Sequence, residues 1–398
     1  MVSLSEVERS STQALAHGGS IYEFTRRLSL DPDHLRTRAW LILATVALAW
    51  VPLVILAVVT KLSSGEMDPL LLRAEPHARL LGTLSLLCFA EPVLDARVAV
   101  VADGVGEDGL LRPTSVARWN LAIATFKRRR DAWLFDSIWA AAIYGGLLLA
   151  YLGGLPDWAA RWLLSTLHGV SWSEASAAWW WYVLVAQPLL LWALGRWLVR
   201  WVLWVWLLWR LARLELELRA VHGDRAGGLG FTSIPLDSLQ LFILALGIAF
   251  ASVWYDEIAA GRAQISNFTG DVLAFLVLCL TMTLLPYLQF SPKLIRVREA
   301  GIVEYAALMR DYAVQFEQRW LGPARPRAQL LGHVDLSGLA DLRSSSAEVE
   351  AMRSLIPSAR DLRSVLLVAA LPFVVVALAQ GPSAAQLLSS ALRRFLAG

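Results

Sequence analysis

The sequence predicts an all-α, polytopic membrane protein: a helix bundle of about seven spans with a helical cytoplasmic segment. Hydrophobic residues make up 57% of the 398 residues, and the mean hydropathy is +0.52. Long stretches such as AWLILATVALAWVPLVILAVVT, Ala39–Thr60, carry no charge at all. Each is long enough to cross a hydrocarbon core of about 30 Å as a helix. The basic residues are also distributed unevenly between the two sides that such a threading defines.

In chain order, residues 1–38 are polar, with Glu6, Glu8, Arg9, Arg26 and Arg27, and are expected to form a cytoplasmic segment ahead of an uncleaved signal anchor. The expected spans are Ala39–Thr60, Ala78–Val98, Ala132–Gly153, Ala177–Gly195, Leu236–Ala259, Asp271–Phe290 and Ser364–Gln380, the last being the shortest and carrying Pro372. Residues 39–290 thus hold six spans, 291–363 a cytoplasmic helical segment, and 364–398 the last span with an outer tail in which Leu387, Leu388, Leu392 and Phe395 share a helical face. With the N-terminus inside, 29 of the 36 Lys and Arg residues lie on the cytoplasmic side and 7 outside, which favours that orientation. The run Lys127-Arg128-Arg129-Arg130 then serves topology, and the expected partner is the lipid bilayer rather than nucleic acid.

The apolar stretch from Ala177 to Leu214 is too long for a single perpendicular crossing. It either tilts and continues into the cytoplasm, or bends near Gln187-Pro188 or Gly195 and lies along the interface. The wealth of tryptophan, 19 in the chain, favours the second course, with Trp197, Arg200, Trp201 and Trp204 as an interfacial anchor. A tryptophan-lined binding surface is the alternative. In the soluble segment Ile295, Ile302, Tyr305, Met309, Tyr312 and Phe316 form a near-heptad seam, suited to packing under the bundle or against a neighbouring subunit. A further helix is expected to start near Ser344–Ser346, where a serine can cap its first turn.

Charge inside a bilayer is expensive, so intramembrane acids are the first functional candidates. Glu91, followed by Pro92, is the foremost: it can bind a cation, relay protons or pair with Arg79 or Arg200. Asp136 lies nearer the cytoplasmic end, where pairing with Arg130 suits it. Asp256 and Glu257 border a short outer loop, as solvated helix ends or as an acidic ring at a pore mouth. Cys88 and Cys279 sit alone in apolar segments and suggest neither a disulfide nor a zinc site. No cofactor is indicated.

The loop VHGDRAGGLG, Val221–Gly230, is the most distinctive polar stretch. Gly223 and Gly228 have the spacing of a phosphate loop, but Leu229-Gly230 stand where that motif needs Lys and Ser/Thr. His222-x-Asp224 offers two metal ligands where a site needs three or four; His333-x-Asp335 is a second such pair. Glycines at Gly227 and Gly228 suit a turn, and His222, Asp224 and Arg225 are candidates for an anion or headgroup site. HGDRAGGLGF resembles the H-P-D-[RK]-A-G-G-L-G-F stretch of an uncharacterised family of bacterial multi-pass membrane proteins, with Gly223 in place of the proline. The similarity extends to ADLRSSSAEVEAMR; it implies a bacterial inner-membrane location and no catalytic residue.

Three functions fit this pattern. A homo-oligomeric channel or pore for ions or small solutes would multiply one acid, Glu91 or Asp256, into a ring. An ion-coupled secondary transporter would use Glu91 near a helix broken at Pro92. A non-transporting scaffold, sensor or headgroup-handling protein would use the loop at 222–230. No hydrolase, protease or cysteine-nucleophile motif is present.

Overall fold

The structure is a computed structural model that describes residues 35–65, 68–107, 109–153, 175–321 and 334–379. The N-terminal segment, His333 and the tail with Leu387, Leu388, Leu392 and Phe395 lie outside them. Among the described residues the elements are helices, with no strand and one isolated antiparallel bridge, Leu111 to Leu216. We number the long helices α1 (Leu35–Ser64), α2 (residues 74–107), α3 (Pro113–Arg130), α4 (Trp133–Tyr151), α5 (Ala177–Ala212), α6 (Leu236–Ala259), α7 (Thr269–Leu284), α8 (Ser291–Trp320), α9 (Val334–Glu350) and α10 (Ala359–Ala379).

Six described segments are helical, long and apolar enough to cross a membrane: Ala39–Ser64, Pro113–Tyr151, Ala177–Ala212, Gly230–Ala259, Ile265–Leu284 and Ala359–Ala379. The protein is therefore an all-α, membrane-embedded bundle. Its lipid-type surface is visible in exposed Ile55, Val59, Ile138, Leu148, Val277, Leu371 and Val375. The remaining expected span, Ala78–Val98, is part of α2, which is equally long but carries Arg79, Glu91, Asp95 and Arg97. α2 tolerates these charges because it is the central helix, flanked by α1, α5 and α6. Leu80, Leu84, Leu87, Leu94, Val98, Val101 and Val105 recur at steps of three, four or seven and are all buried. Glu91 occupies the one missing place in that row, between Leu87 and Leu94.

α5 corrects one expectation. It stays α-helical through Gly195 to Ala212, and its one irregularity is a π-helical turn at Tyr182–Ala186, directly before Gln187-Pro188. Trp197 and Trp204 are buried in the protein, and the Trp197 ring stacks on Phe242 of α6 with centroids 3.6 Å apart. Trp201 is half-buried. The anchor reading failed because α3, α4 and α2 pack around α5 and cover rings that would otherwise reach headgroups. Gly195 marks a close approach, since a β-carbon there would collide with the Trp139 indole of α4, whose Nε1 donates to the Leu191 carbonyl at 3.0 Å.

Beyond the spans, α8 and α9 form a hairpin, so part of the near-heptad seam faces α9. Tyr312 donates to the Asp335 carbonyl at 2.9 Å and Trp320 Nε1 to the Asp335 carboxylate at 3.0 Å. α9 starts at Val334, ten residues before the serines expected to cap it; Ser345 bonds back to the Asp341 carbonyl inside the helix. The last span begins earlier than expected, at Ala359, and continues through Pro372 to Ala379.

Replacing Gly195 by alanine must displace the Trp139 indole or push α4 from α5. We expect Gly195→Ala to cost about 1–3 kcal/mol, read as a lower thermal-unfolding midpoint in detergent; an unchanged midpoint contradicts the close helix contact.

Candidate functional site

The site begins with spacing. Glu91 and Asp95 are four residues apart on α2, and Arg196 and Arg200 are four apart on α5, so each pair lies on one helical face. α2 and α5 run in the same direction and bring the pairs into register. Arg196 Nη2 is 2.5 Å and Arg200 Nη2 2.7 Å from Glu91 Oε1, and Arg200 Nε is 3.3 Å from Asp95 Oδ2. Arg196 and Arg200 are each only 3% exposed.

Neighbouring elements extend this ladder toward one end of the bundle. Arg130, the last residue of α3, lies 3.7 Å from Asp95 and 2.9 Å from Asp131. Asp136, in the first turn of α4, stands 3.4 Å from Arg196. The Arg196 guanidinium also lies 4.7 Å from the centroid of the Trp192 ring. In all, Glu91, Asp95, Asp131 and Asp136 meet Arg130, Arg196 and Arg200 across four helices. Removing one partner of such a buried set leaves an uncompensated charge and typically costs about 3–5 kcal/mol.

Directly beyond the ladder, on the side of the α5 N-terminus, a cavity of about 240 Å³ opens between α2, α5 and α6. Its walls are mainly apolar and include Leu87, Leu191, Leu246, Phe250 and Trp254. Leu87 is one turn from Glu91, so ladder and cavity share a wall. The polar lining is Arg79, Thr83 and Gln187. Arg79 pairs with Glu75 at 2.9 Å, Thr83 donates to the Ala245 carbonyl at 2.9 Å, and Gln187 accepts from the Tyr182 hydroxyl at 3.1 Å. Both π-helical turns lie here: Ala78–Thr83 supplies Arg79 and Thr83, and Tyr182–Ala186 immediately precedes Gln187. Such single-turn π segments inside α-helices are frequent at functional sites.

The other acids are placed elsewhere. Asp256 is 9% exposed and accepts from the Ala74 and Glu75 backbone N–H groups at 2.8 and 2.9 Å, capping the start of α2. Glu257 is paired with Arg262 at 2.8 Å. Sequence reasoning singled out Glu91, Asp136 and Arg200 and expected Arg130 beside Asp136, but passed over Asp95 and Arg196; in the structure Asp136 meets Arg196, and Arg130 meets Asp95 and Asp131. The matched four-residue spacings of acids and arginines were the available signal.

The glycine-rich loop is a separate construction at the end of the bundle where α5 terminates and α3 begins, next to the Leu111–Leu216 bridge. Asp224 Oδ1 accepts from the Ala226 and Gly228 N–H groups at 2.8 and 3.1 Å, and Oδ2 from Gly230 N–H at 2.7 Å. His222 Nδ1 lies 2.8 Å from Asp224 Oδ1. The amides that could have cradled an external anion are thus occupied by the loop's own carboxylate. Burial alone would raise the Asp224 pKa, but the three backbone donors and His222 hold it below the ordinary carboxylate value. Gly227 and Gly228 adopt φ of +68° and +93°, and Arg225 +54°. Arg225 is paired with Glu348 of α9 at 3.1 Å, its carbonyl accepts from Arg353 N–H at 2.7 Å, and Arg353 Nη2 donates to the Asp224 carbonyl at 2.9 Å. The loop therefore fastens the α9–α10 connection to the exit of α5.

No family model, curated protein or solved structure matches the chain.

In Asp224→Asn an amide N–H₂ would replace one oxygen and confront a backbone N–H. We expect a loss of about 1–3 kcal/mol in unfolding free energy at neutral pH. Because the folded pKa is depressed, the wild-type advantage exists above the ordinary carboxylate range and fades as pH falls through the folded value. A stability difference between the two proteins that is flat from pH 7 into the acid range contradicts this role for Asp224.

Proposed function

We propose that the chain is an ion-coupled membrane transporter for a small, largely apolar solute, with Glu91 as the group that couples solute to proton. One observation carries this reading: an ion ladder buried in the bundle stands directly against a cavity lined by the same two helices. A buried ionisable set inside a membrane bundle is a functional site by default, because two well-packed leucines would be cheaper. Glu91 is the shared member, touching both arginines below and standing one turn from the cavity wall above.

In this scheme solute entering the cavity draws Arg196 and Arg200 off Glu91 toward Asp136 and Asp95, and the carboxylate so released takes up a proton and becomes a neutral acid. Loss of the double contact loosens α2 against α5 near their π-helical turns, where the cavity is formed. Deprotonation restores the ladder and closes the path. The basic end, with Lys127–Arg130, Arg210 and Arg213, is the cytoplasmic end in this scheme, following the charge asymmetry. The alternative of an acid ring in an oligomeric pore draws less support, because Glu91 and Asp256 both point into their own chain, one at arginines and one at backbone amides.

Proteoliposomes offered a mixed extract of small metabolites under an inward proton gradient would be tested by mass spectrometry of their contents. We expect wild-type vesicles to accumulate at least one compound and Glu91→Gln vesicles to fall to the protein-free background while retaining a monodisperse size-exclusion profile. Equal accumulation by Glu91→Gln, or single-channel conductance of the wild type in planar bilayers, overturns the proposal.

A further inference from the structure

The outward face of α5 changes character along its length in the order a membrane boundary requires. Val202, Trp206, Trp209 and Arg213 fall on one helical face, running from an exposed aliphatic residue through indoles to a cation. α3 adds Arg129 to the same place. Arg129 and Arg210 stand on the Trp206 ring, 5.0 and 5.8 Å from its centroid, and Arg213 on the Trp209 ring at 3.6 Å. All three arginines are exposed, and none is ion-paired with a described residue. They differ in this from Arg130, Arg196 and Arg200, which are buried among carboxylates.

The depth of the cluster follows from α4. Its 19 residues rise about 28 Å at helical pitch, close to the thickness of a hydrocarbon core. α4 begins at Trp133, which is 73% exposed, four residues after Arg129. Arg129 therefore stands where the hydrocarbon ends, in the headgroup layer of the leaflet at the basic end. Guanidiniums held on indole faces at that depth, without an ion pair among the described residues, present bidentate donors to phosphate, while exposed Val202 and Trp133 offer apolar surface to the chains above it.

We infer that Arg129, Arg210 and Arg213, with Trp206 and Trp209, form a binding site for the phosphate of an anionic phospholipid at the headgroup layer. The occupant is a lipid rather than a free anion because the cluster is continuous with lipid-facing apolar surface.

Native mass spectrometry of the detergent-solubilised full chain with phosphatidylglycerol and phosphatidylcholine of identical acyl chains tests this. We expect phosphatidylglycerol to be retained about tenfold better than phosphatidylcholine, and the preference to vanish in Arg129→Ala/Arg210→Ala/Arg213→Ala. Excess glycerol phosphate should leave the retained lipid in place. Equal retention of both lipids, an undiminished preference in the triple variant, or displacement by glycerol phosphate each overturns the inference. Should the triple variant unfold, Arg210→Gln alone, at an exposed position, must lower phosphatidylglycerol retention by about threefold; no change overturns it equally.

Discussion

The structure depends on the contact between two pairs of charges on two parallel helices. Glu91 and Asp95 on α2 would make a central helix untenable in a bilayer if left alone, and Arg196 and Arg200 would do the same to α5. Brought into register, the helices bury their charges in each other. That fixes the rotation of both helices about their axes, and much of the remaining packing follows from it. With α5 turned so that its arginines face α2, Trp197 meets Phe242 and Gly195 meets Trp139.

The ladder also sets the division of labour along the bundle. Toward the α5 N-terminus the α2–α5 interface turns apolar and widens into a cavity beside the two π-helical turns. Toward the other end it is closed by Arg130 and Asp136. Beyond that, Trp206 and Trp209 carry exposed arginines on their rings, and the Asp224 loop ties the extramembrane hairpin to the bundle. Arginine thus serves in two settings: buried among carboxylates in the ladder, and exposed on the Trp206 and Trp209 rings beyond it.

Much of the fold was legible in the sequence because hydrocarbon thickness imposes long uncharged runs. The all-α class and the approximate positions of most spans followed from that. What the sequence hid was which helix lies at the centre. α2 was counted as one span among seven, although its charges make it the helix that the others must enclose. The tryptophans of α5 misled because indole is equally at home in a protein core and at a headgroup layer, and only neighbouring helices decide between them. Asp95 was overlooked because it stands two residues from Arg97, near the expected end of its span; its register with Arg200 needs both helices to be seen. Spacing correctly denied the glycine loop a nucleotide role. That its own aspartate fills its ring of amides is a local geometric fact that no periodicity announces.

The central claim, that α2 and α5 are held in register by their buried charges, is tested most directly by a double-mutant cycle. Asp95→Asn, Arg200→Gln and the combined variant would be compared by unfolding in a denaturing detergent titration. The ladder predicts strong coupling, with the double variant more stable than the sum of the single losses by more than about 1 kcal/mol. Losses that add to within about 0.5 kcal/mol would mean that the two residues act independently, and would contradict the account.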